Sequence, residues 1–522
     1  MTLRAIRHWR VGLLAALILT LALILVWALG AAPALAQPAS LSSNPFTGST
    51  YGSANPLGPP DPAKLWLQPG SVNTLFATNE YLNHEGMLGL INSGGTLQTA
   101  GHAFFDDLGS NGRGCVSCHQ PSQAMSLAAA NVAQRWEDSL GHRLDPVFAA
   151  VDGSDCPTLP QTEKSSHSIL INRGAFRIAL PWPLKDSAGK PMTADFTISV
   201  ANDPNGCNSG AVYGPTAEAP NISVYRRPRM VANFPQVPGQ GCGEDVKMAA
   251  IMADGREATL KSQAVDASLS HLELKTAPNA KQLKQIVDFE CQVFTAQSFD
   301  RQNWVIVQAG SPPGLGPQSL ALATKISTYL KSVGDGGPVF QSFENWKNAP
   351  DPGSVSEQAF RRSVARGAEI FVGRHFDITG AVGVNNAAAP VSGTCASCHD
   401  LAMSGMASAR WIDTGSTNQP FAISAPDLPL FKITCNPDAP PHPFLGRVIY
   451  TQDPGRAMTT GKCADVGAIA VQQLRGLSAR APYFSNGSAR TLGDVVDFYD
   501  RRFTAGFSPQ EKQDLVNFLG VL

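Results

Sequence analysis

The sequence predicts a mainly α-helical protein of two domains, and three observations lead to this prediction. The chain has 522 residues, which is more than one hydrophobic core usually serves. Apolar residues recur at helical spacing in several segments, as at Leu283, Ile286 and Val287, and no strand-rich region stands out. A stretch rich in glycine and proline, residues 334–354, predicts the boundary between the domains.

The elements follow in order along the chain. Residues 37–95 are rich in Ser, Asn, Gly and Pro and are expected to form an irregular surface extension. Residues 124–225 contain short apolar runs between turn clusters. Residues 98–123 predict a helix, then a loop, then a short cysteine-containing motif. The remaining segments predict helices over 258–274, 280–297, 320–333 and 356–371, and a last helix that opens with a capping box at Ser508-Pro509-Gln510-Glu511.

The N-terminus has the features of an export signal. Arginines precede an apolar run over residues 11–29, and a small-residue cleavage site follows at 34–36. We therefore expect residues 1–36 to be removed and the mature protein to lie in the periplasm, with no membrane span. The alternative is an uncleaved anchor, because the run approaches the ~20 residues that cross a bilayer.

The overall composition gives little indication of a charged partner. The chain has 40 Lys and Arg against 41 Asp and Glu, so no net field attracts nucleic acid, and none is expected as a partner. With 48 Gly and 39 Pro the chain is expected to be globular and rich in loops. It contains no phosphate-binding loop, no serine nucleophile elbow and no zinc-protease helix.

Two short motifs carry the strongest chemical signal. They are Cys115-Val116-Ser117-Cys118-His119 and Cys395-Ala396-Ser397-Cys398-His399. This CxxCH spacing is that of a c-type haem attachment site, in which two thiols bind the porphyrin and the histidine binds the iron. We therefore predict two covalent haem c groups, with His119 and His399 as proximal ligands. The alternative is a pair of structural or zinc-binding cysteine pairs.

Six further cysteines are left over, and export makes disulfides the expected outcome. Sequence alone does not decide among the fifteen pairings that six cysteines allow. The simplest pairing joins neighbours: Cys156 with Cys207, Cys242 with Cys291, and Cys435 with Cys463.

Several stretches resemble the bacterial di-haem cytochrome c peroxidases and their MauG-like relatives. They include Gly101–Asp106 before the first motif, Arg226–Asn233, Asp254–Ala264 and, most clearly, Leu474–Ser488 followed by Thr491–Tyr499. The resemblance covers about 95–122 and 225–522. Residues 123–225 look like a loop-rich insertion relative to short members of the family.

The resemblance implies two cytochrome c-like helical domains, each with one haem. The N-terminal extension and the haem 1 domain would span 37–345, and the haem 2 domain 350–522. It also implies a calcium ion between the domains, with Asn233 and Pro482 among its ligands. Arg480 stands where the family has a threonine that supplies a backbone carbonyl to the calcium.

The resemblance also names a distal ligand for haem 2. Tyr499 stands where the peroxidases have methionine and the MauG-like branch has tyrosine. A phenolate ligand stabilises oxidised iron more than a thioether does. Two alternatives stay open: Tyr499 is only a core aromatic residue, or Met403 or Met406 is the ligand.

On the distal side of haem 1, the resemblance places a general acid–base at Glu273. His271 would be either a second proton carrier or a sixth ligand of the iron. The alternative is that both are polar positions on a half-exposed helix. Ala253 occupies the place of the tryptophan that bridges the haems in the family, which argues against a tryptophan relay here.

The function that these features imply is a periplasmic di-haem oxidoreductase of the peroxidase type. Hydrogen peroxide or dioxygen would react at haem 1, with electrons relayed through haem 2. The partner would be a small electron-donor protein, such as a cytochrome c or a cupredoxin, or a protein substrate. Two alternatives are a non-catalytic electron-transfer cytochrome and a dioxygenase similar to the rubber oxygenases, with the insertion forming a substrate channel.

Overall fold

The computed structural model of the protein describes residues 66–139, 145–186, 189–236, 242–248, 251–301, 304–306, 315–322, 343, 346–347, 355–385, 389–399 and 411–522. The predicted export signal, Met403, Met406 and nearly all of the predicted boundary at 334–354 lie outside these residues. What the sequence implies for them stays a prediction. No helix in the described ranges is both long and apolar enough to cross a membrane.

The prediction of a mainly α-helical fold is wrong. The structure is 31% helical and 20% strand, and its strands are spread over several small sheets. The helices of the described ranges are α1 (Ala129–Asp138), α2 (Ser168–Arg173), α3 (Leu260–Ser270), α4 (Ala280–Gln292), α5 (Gly316–Leu322), α6 (Val355–Gly373), α7 (Ala457–Thr460), α8 (Leu492–Phe503) and α9 (Pro509–Gly520). The strands are β1 (Thr74–Leu75), β2 (Thr78–Asn83), β3 (Gly86–Asn92), β4 (Leu97–Gln98), β5 (Phe176–Pro181), β6 (Phe196–Asn202), β7 (Asn221–Arg226), β8 (Val293–Phe299), β9 (Phe376–Ile378), β10 (Val391–Gly393), β11 (Trp411–Ile412), β12 (Leu430–Cys435), β13 (Val448–Thr451) and β14 (Ile469–Ala470).

The helices that the sequence marks with capping residues begin where they are expected. Helix α9 starts after Ser508, whose hydroxyl accepts from the Glu511 amide while the Glu511 carboxylate accepts from the Ser508 amide. This reciprocal pair satisfies two backbone donors that a helix start leaves free. The predicted last helix is therefore confirmed. Thr491 caps α8 in the same way, with Asp494 as its partner.

Helices α6 and α9 form the core of the C-terminal half. Phe518 of α9 is fully buried and packs with Phe371 of α6. The two helices approach closely at Gly367, where a Cβ atom would come within 2.0 Å of the Asp514 carbonyl oxygen. Only glycine allows this approach, which also lets Arg366 bind the Asp514 carboxylate at 2.7 Å.

Strands replace two elements that the sequence predicts otherwise. The helix expected over 280–297 ends at Gln292, and β8 begins at Val293. Strand β8 pairs with β3, which pairs with β2, so the part of 37–95 from Trp66 onward is not an irregular extension. Because β8 is buried on both faces and includes the buried polar residues Thr295 and Gln297, its sequence has no period of two and cannot be distinguished from a helix by periodicity.

The insertion at 123–225 is built largely from ordered elements. It contributes α1 and α2, and its strands β5 and β7 form an antiparallel pair. Its third strand, β6, pairs with β12, and β12 pairs with β13. The insertion therefore forms a sheet with strands that follow the predicted domain boundary.

The cysteine pairing that joins neighbours is confirmed. Disulfides connect Cys156 with Cys207, Cys242 with Cys291, and Cys435 with Cys463. The first lies within the insertion, and the last joins β12 to the turn after α7.

Candidate functional site

The two CxxCH motifs have the same local structure. Each begins with a short 3-10 turn, Cys115–Ser117 in the first and Cys395–Ser397 in the second. In each, the backbone amide of the histidine donates to the carbonyl of the first cysteine at 3.1 Å. In each, the serine hydroxyl accepts from the amide of the residue before that cysteine. The turn places both thiols and the histidine within one short loop.

The motif cysteines differ from the other cysteines in their chemical state. All ten cysteines lie in the described ranges; six form disulfides, and the four of the two motifs do not. Desolvation raises the pKa of the Cys118 thiol to about 12 and also raises the pKa values of Cys115 and Cys395. Half-buried cysteines in pairs, outside any disulfide, fit thioether attachment to a cofactor.

Each motif lines a cavity. Cavity 1 has a volume of about 150 Å³, and its lining includes Cys118 and His119. Cavity 2 has a volume of about 190 Å³, and its lining includes Cys395, Cys398 and His399. The cysteines and histidine of each motif thus face an interior space.

His119 is held in the form that binds a metal. Its Nδ1 lies 3.1 Å from the Met125 carbonyl oxygen, and a proton donated there leaves the Nε2 lone pair free. Burial lowers the pKa of His119 to about 4, so the imidazole is neutral. Ala124 and Met125 both have left-handed backbone angles, and this turn brings the Met125 carbonyl back to the imidazole.

Tyr499 lies in the same cavity as His399. It projects from α8, lines cavity 2, and its ring stacks on Phe503 and meets Phe498 edge-on. Burial raises its pKa, and a hydrogen bond with Thr414 opposes that change. The structure thus places the predicted proximal and distal ligands of haem 2 in one cavity. The role of Tyr499 as an iron ligand stays a prediction.

The two predicted catalytic residues lie in different surroundings. His271 follows the end of α3 and lines cavity 1. Glu273, two residues on, has a left-handed backbone angle of 54° and is exposed. Its carboxylate accepts from the Asn111 amide at 3.0 Å, and it is not among the residues that line cavity 1. The turn after α3 therefore separates the two side chains.

A residue that the sequence did not suggest lies beside His271. Asp152, in the insertion, is buried, lines cavity 1 and has its Oδ2 2.5 Å from the His271 Nδ1. Its Oδ1 accepts from the fully buried Arg113. Burial tends to raise the pKa of Asp152, but the Arg113 charge and then the His271 hydrogen bond hold it below its ordinary value. Asp152 is therefore an anion against the imidazole.

Nothing in the sequence singles out Asp152. It stands in Asp152-Gly153-Ser154, a pattern that indicates only a turn. Its partners Arg113 and His271 lie 39 and 119 residues away along the chain. Only the folded structure brings the three together.

The two cavities share a wall. Arg227, Pro228, Gln472 and Gln473 line both. Across this wall the Ala470 amide donates to the Ala253 carbonyl at 2.9 Å; Ala253 lines cavity 1 and Ala470 lines cavity 2. A direct backbone hydrogen bond therefore connects the linings of the two cavities at Ala253, the position at which the resembled family has a bridging tryptophan.

The residues proposed for calcium have other partners. The Asn233 side-chain oxygen accepts from the Thr295 amide, and its nitrogen donates to the Thr295 carbonyl, both at 2.9 Å. The described ranges contain no cluster of three or more His, Cys, Asp or Glu that could hold a metal. Calcium at Asn233 and Pro482 stays a prediction from the resemblance.

A buried carboxyl near the first motif predicts a pH-dependent stability. Glu290 of α4 is buried, its Oε2 has no hydrogen-bond partner in the described ranges, and burial raises its pKa from 4.5 to about 8. The folded state therefore binds a proton that the unfolded state has lost, and stability should fall as pH rises from 4.5 towards 8. The limiting slope is about 1.4 kcal/mol per pH unit.

Glu290→Gln should remove this slope, because glutamine does not titrate. Denaturant unfolding between pH 5 and pH 9 measures it, with the exposed Glu137→Gln of α1 as the control. A slope that is the same in Glu290→Gln as in the original chain would contradict the prediction.

Comparison with known proteins gives one partial similarity. No protein-family model matches the chain. The chain is similar to cytochrome-c peroxidase IdrP1 of Pseudomonas sp. (strain SCT), with 38% identity over 81 residues. The match covers 13% of this chain and 21% of that protein. The chain thus spans about a fifth of the length of this relative, and part of it is similar to a cytochrome-c peroxidase.

Proposed function

We propose that the protein is a di-haem c oxidoreductase of the cytochrome c peroxidase type that reduces hydrogen peroxide. One observation carries the proposal: two cavities share a wall, and each is lined by residues of one CxxCH turn, whose cysteines take no part in the three disulfides that the other six cysteines form. The similarity to a cytochrome-c peroxidase supports it. When bound, each haem supplies an iron that exchanges single electrons.

The chain's own residues would hold the two cofactors. Cys115 and Cys118 would attach the haem of cavity 1, and Cys395 and Cys398 that of cavity 2. His119 and His399 would bind the irons on one side. Tyr499 would bind the second iron on the other side.

His271 and Asp152 give cavity 1 its proton chemistry. A proton on His271 Nδ1 donated to Asp152 fixes the tautomer and leaves Nε2 as the acceptor. The Nε2 atom would take a proton from one oxygen of hydrogen peroxide and return it to the other oxygen as the O–O bond breaks, which is general acid–base catalysis. Asp152 stays ionised because Arg113 neutralises it, and it stabilises the imidazolium that forms.

Cavity 2 suits electron storage better than substrate chemistry. Its lining is mostly apolar and aromatic, including Phe371, Phe376, Phe503 and Phe507. Electrons would arrive there from a small donor protein, a cytochrome c or a cupredoxin, and cross the shared wall. Three disulfides are typical of an oxidising compartment, which supports the periplasm as the location.

One observation favours a second candidate function. The insertion adds the apolar residues Phe176 and Ile178 to the lining of cavity 1. An apolar wall suits an alkene, so the alternative is a haem dioxygenase similar to the rubber oxygenases. Oxygen uptake that depends on an added polyisoprene, with no peroxide turnover, would favour it.

The test of the proposal combines intact mass with turnover. The purified protein should have the mass of the chain plus two haems and should consume peroxide with a reduced cytochrome c as donor. Replacing Cys115 and Cys118 together by alanine should remove one haem and the turnover. A mass with one haem or none in the original chain would contradict the proposal.

A further inference from the structure

Three arginines line the two cavities at or near their shared wall. Arg227 and Arg480 are buried, and Arg229 is half-buried. We refer to these three as the arginine cluster. Arg227 lines both cavities, Arg229 lines cavity 1, and Arg480 lines cavity 2.

The cluster differs from most other buried arginines in having no ion pair. Arg113, Arg226 and Arg361 each form an ion pair with a buried Asp or Glu, whereas the buried Arg177, which does not belong to the cluster, bonds to neutral oxygens. In the described ranges no member of the cluster forms an ion pair. Buried charges are normally paired, because an isolated charge loses its hydration without compensation. Three such cations beside two adjoining cavities therefore need an explanation.

Carbonyl groups meet only part of this need. Arg227 donates to the Leu127 and Arg480 carbonyls, and Arg480 donates to those of Gln473 and Arg475. Arg229 donates to the carbonyls of Ala470 and Val471. These acceptors carry no net charge. The charge of Asp254 acts on Arg229 without an ion pair, so the positive charges of the cluster are compensated only in part.

One donor of the cluster has no acceptor. The Arg227 Nε is buried and has no hydrogen-bond partner among the described residues. Burial, and then the charge of Arg480, lower the pKa of Arg227 to about 9. Because Arg227 lines both cavities, an anion in either one can supply the missing charge and acceptor.

We propose that the arginine cluster is a carboxylate-binding site shared by the two cavities, and that it binds the carboxylates of the two haem groups. The inference rests on the proposed function. Each haem carries two propionate groups, so the two haems bring carboxylates to guanidinium groups that have none as a hydrogen-bond partner. Guanidinium binds carboxylate through two parallel hydrogen bonds. The cluster thereby orients both porphyrins with their propionate edges towards the shared wall.

The site has an electrostatic consequence for each iron. A nearby positive charge favours the reduced state, so loss of an arginine should lower the midpoint potential of the haem it serves. At an effective dielectric of ~20, a unit charge ~10 Å from the iron changes the equilibrium constant for its reduction about tenfold. For a one-electron couple this factor corresponds to 59 mV.

Single glutamine variants of the holoprotein test the site by spectroelectrochemical titration. Arg229→Gln should lower only the potential of the haem in cavity 1, and Arg480→Gln only that in cavity 2, each by about tenfold in the reduction equilibrium. Arg227→Gln should lower both, and Arg227→Lys should keep most of the charge effect. Variants that lack one pair of motif cysteines assign each potential to its haem.

Arg366→Gln is the matched control, because Arg366 is partly exposed and pairs with Asp514 away from both cavities. Its potentials should equal those of the original protein. Potentials unchanged in all three cluster variants, with two haems present by mass, would overturn the inference. A mass below two haems would instead overturn the proposed function. If added acetate shifts the potentials of the original protein and not those of Arg227→Gln, the cluster binds a diffusible anion and the haem assignment is wrong.

Discussion

His271→Gln is expected to slow the reaction with hydrogen peroxide by roughly 10²- to 10⁴-fold, the usual cost of losing a positioned acid–base group. Glutamine has about the size and polarity of histidine, but it cannot accept a proton at neutral pH. Both haems should stay attached, because His271 does not belong to either CxxCH motif. Stopped-flow mixing of the reduced protein with peroxide measures the rate, and intact mass measures the haem content.

Asp152→Asn should give a large part of the same loss, because Asp152 positions His271. Asparagine can present its amide nitrogen to the imidazole Nδ1 and thereby stabilise the wrong tautomer. It also leaves the charge of the buried Arg113 without a partner, and breaking a buried pair costs about 3–5 kcal/mol of stability. Asp152→Glu is the conservative variant. It keeps the charge, so it should recover turnover in part where Asp152→Asn does not.

Glu273→Gln tests whether the catalytic acid–base is Glu273, as the resemblance implies, or His271, as the geometry indicates. The resemblance implies that Glu273 is the acid–base, so its loss would cost as much as that of His271. The structure places its carboxylate at the surface beside Asn111, so the peroxide rate should change little. If Glu273→Gln slows the reaction 10²-fold or more and His271→Gln does not, the assignment of proton transfer to His271 is wrong.

The parts of the site that the sequence predicts are those encoded by local chemistry. The CxxCH spacing requires two thiols and a histidine on one short turn, and the structure forms that turn twice. The three disulfides join cysteines that are neighbours in sequence order but 28 to 51 residues apart, so the simplest of the fifteen pairings was correct without local chemistry requiring it. Helix α9 begins where its capping residues predict, because a cap acts within four residues.

The parts that the sequence did not predict depend on distant contacts. Strand β8 is buried on both faces and carries polar as well as apolar residues inside, such as Thr295 and Gln297, so a period of two is absent from its sequence. Asp152 gains its role only from Arg113 and His271, each far away along the chain. The resemblance gave no help with Asp152, because the insertion that carries it has no counterpart in short members of the family.

Tyr499→Met is expected to raise the midpoint potential of the haem in cavity 2 by a few tenths of a volt, within the ~0.8 V that axial ligands span. A phenolate oxygen favours the oxidised iron, whereas a thioether favours the reduced iron. The buried Tyr499 phenol has a raised pKa, so a bound iron is what would hold it as phenolate. Spectroelectrochemical titration measures the potential, and Tyr499→Phe should alter the haem spectrum because no oxygen donor is left.

Tyr483→Phe is the control that separates ligation from packing. Tyr483 is also buried and lines cavity 2, but its hydroxyl donates to the Leu477 carbonyl at 3.0 Å. Its replacement should leave the haem spectrum unchanged. If Tyr499→Phe also leaves the spectrum and the potential as they were, Tyr499 only packs against Phe498 and Phe503. Met403 and Met406 would then be the ligands to replace next.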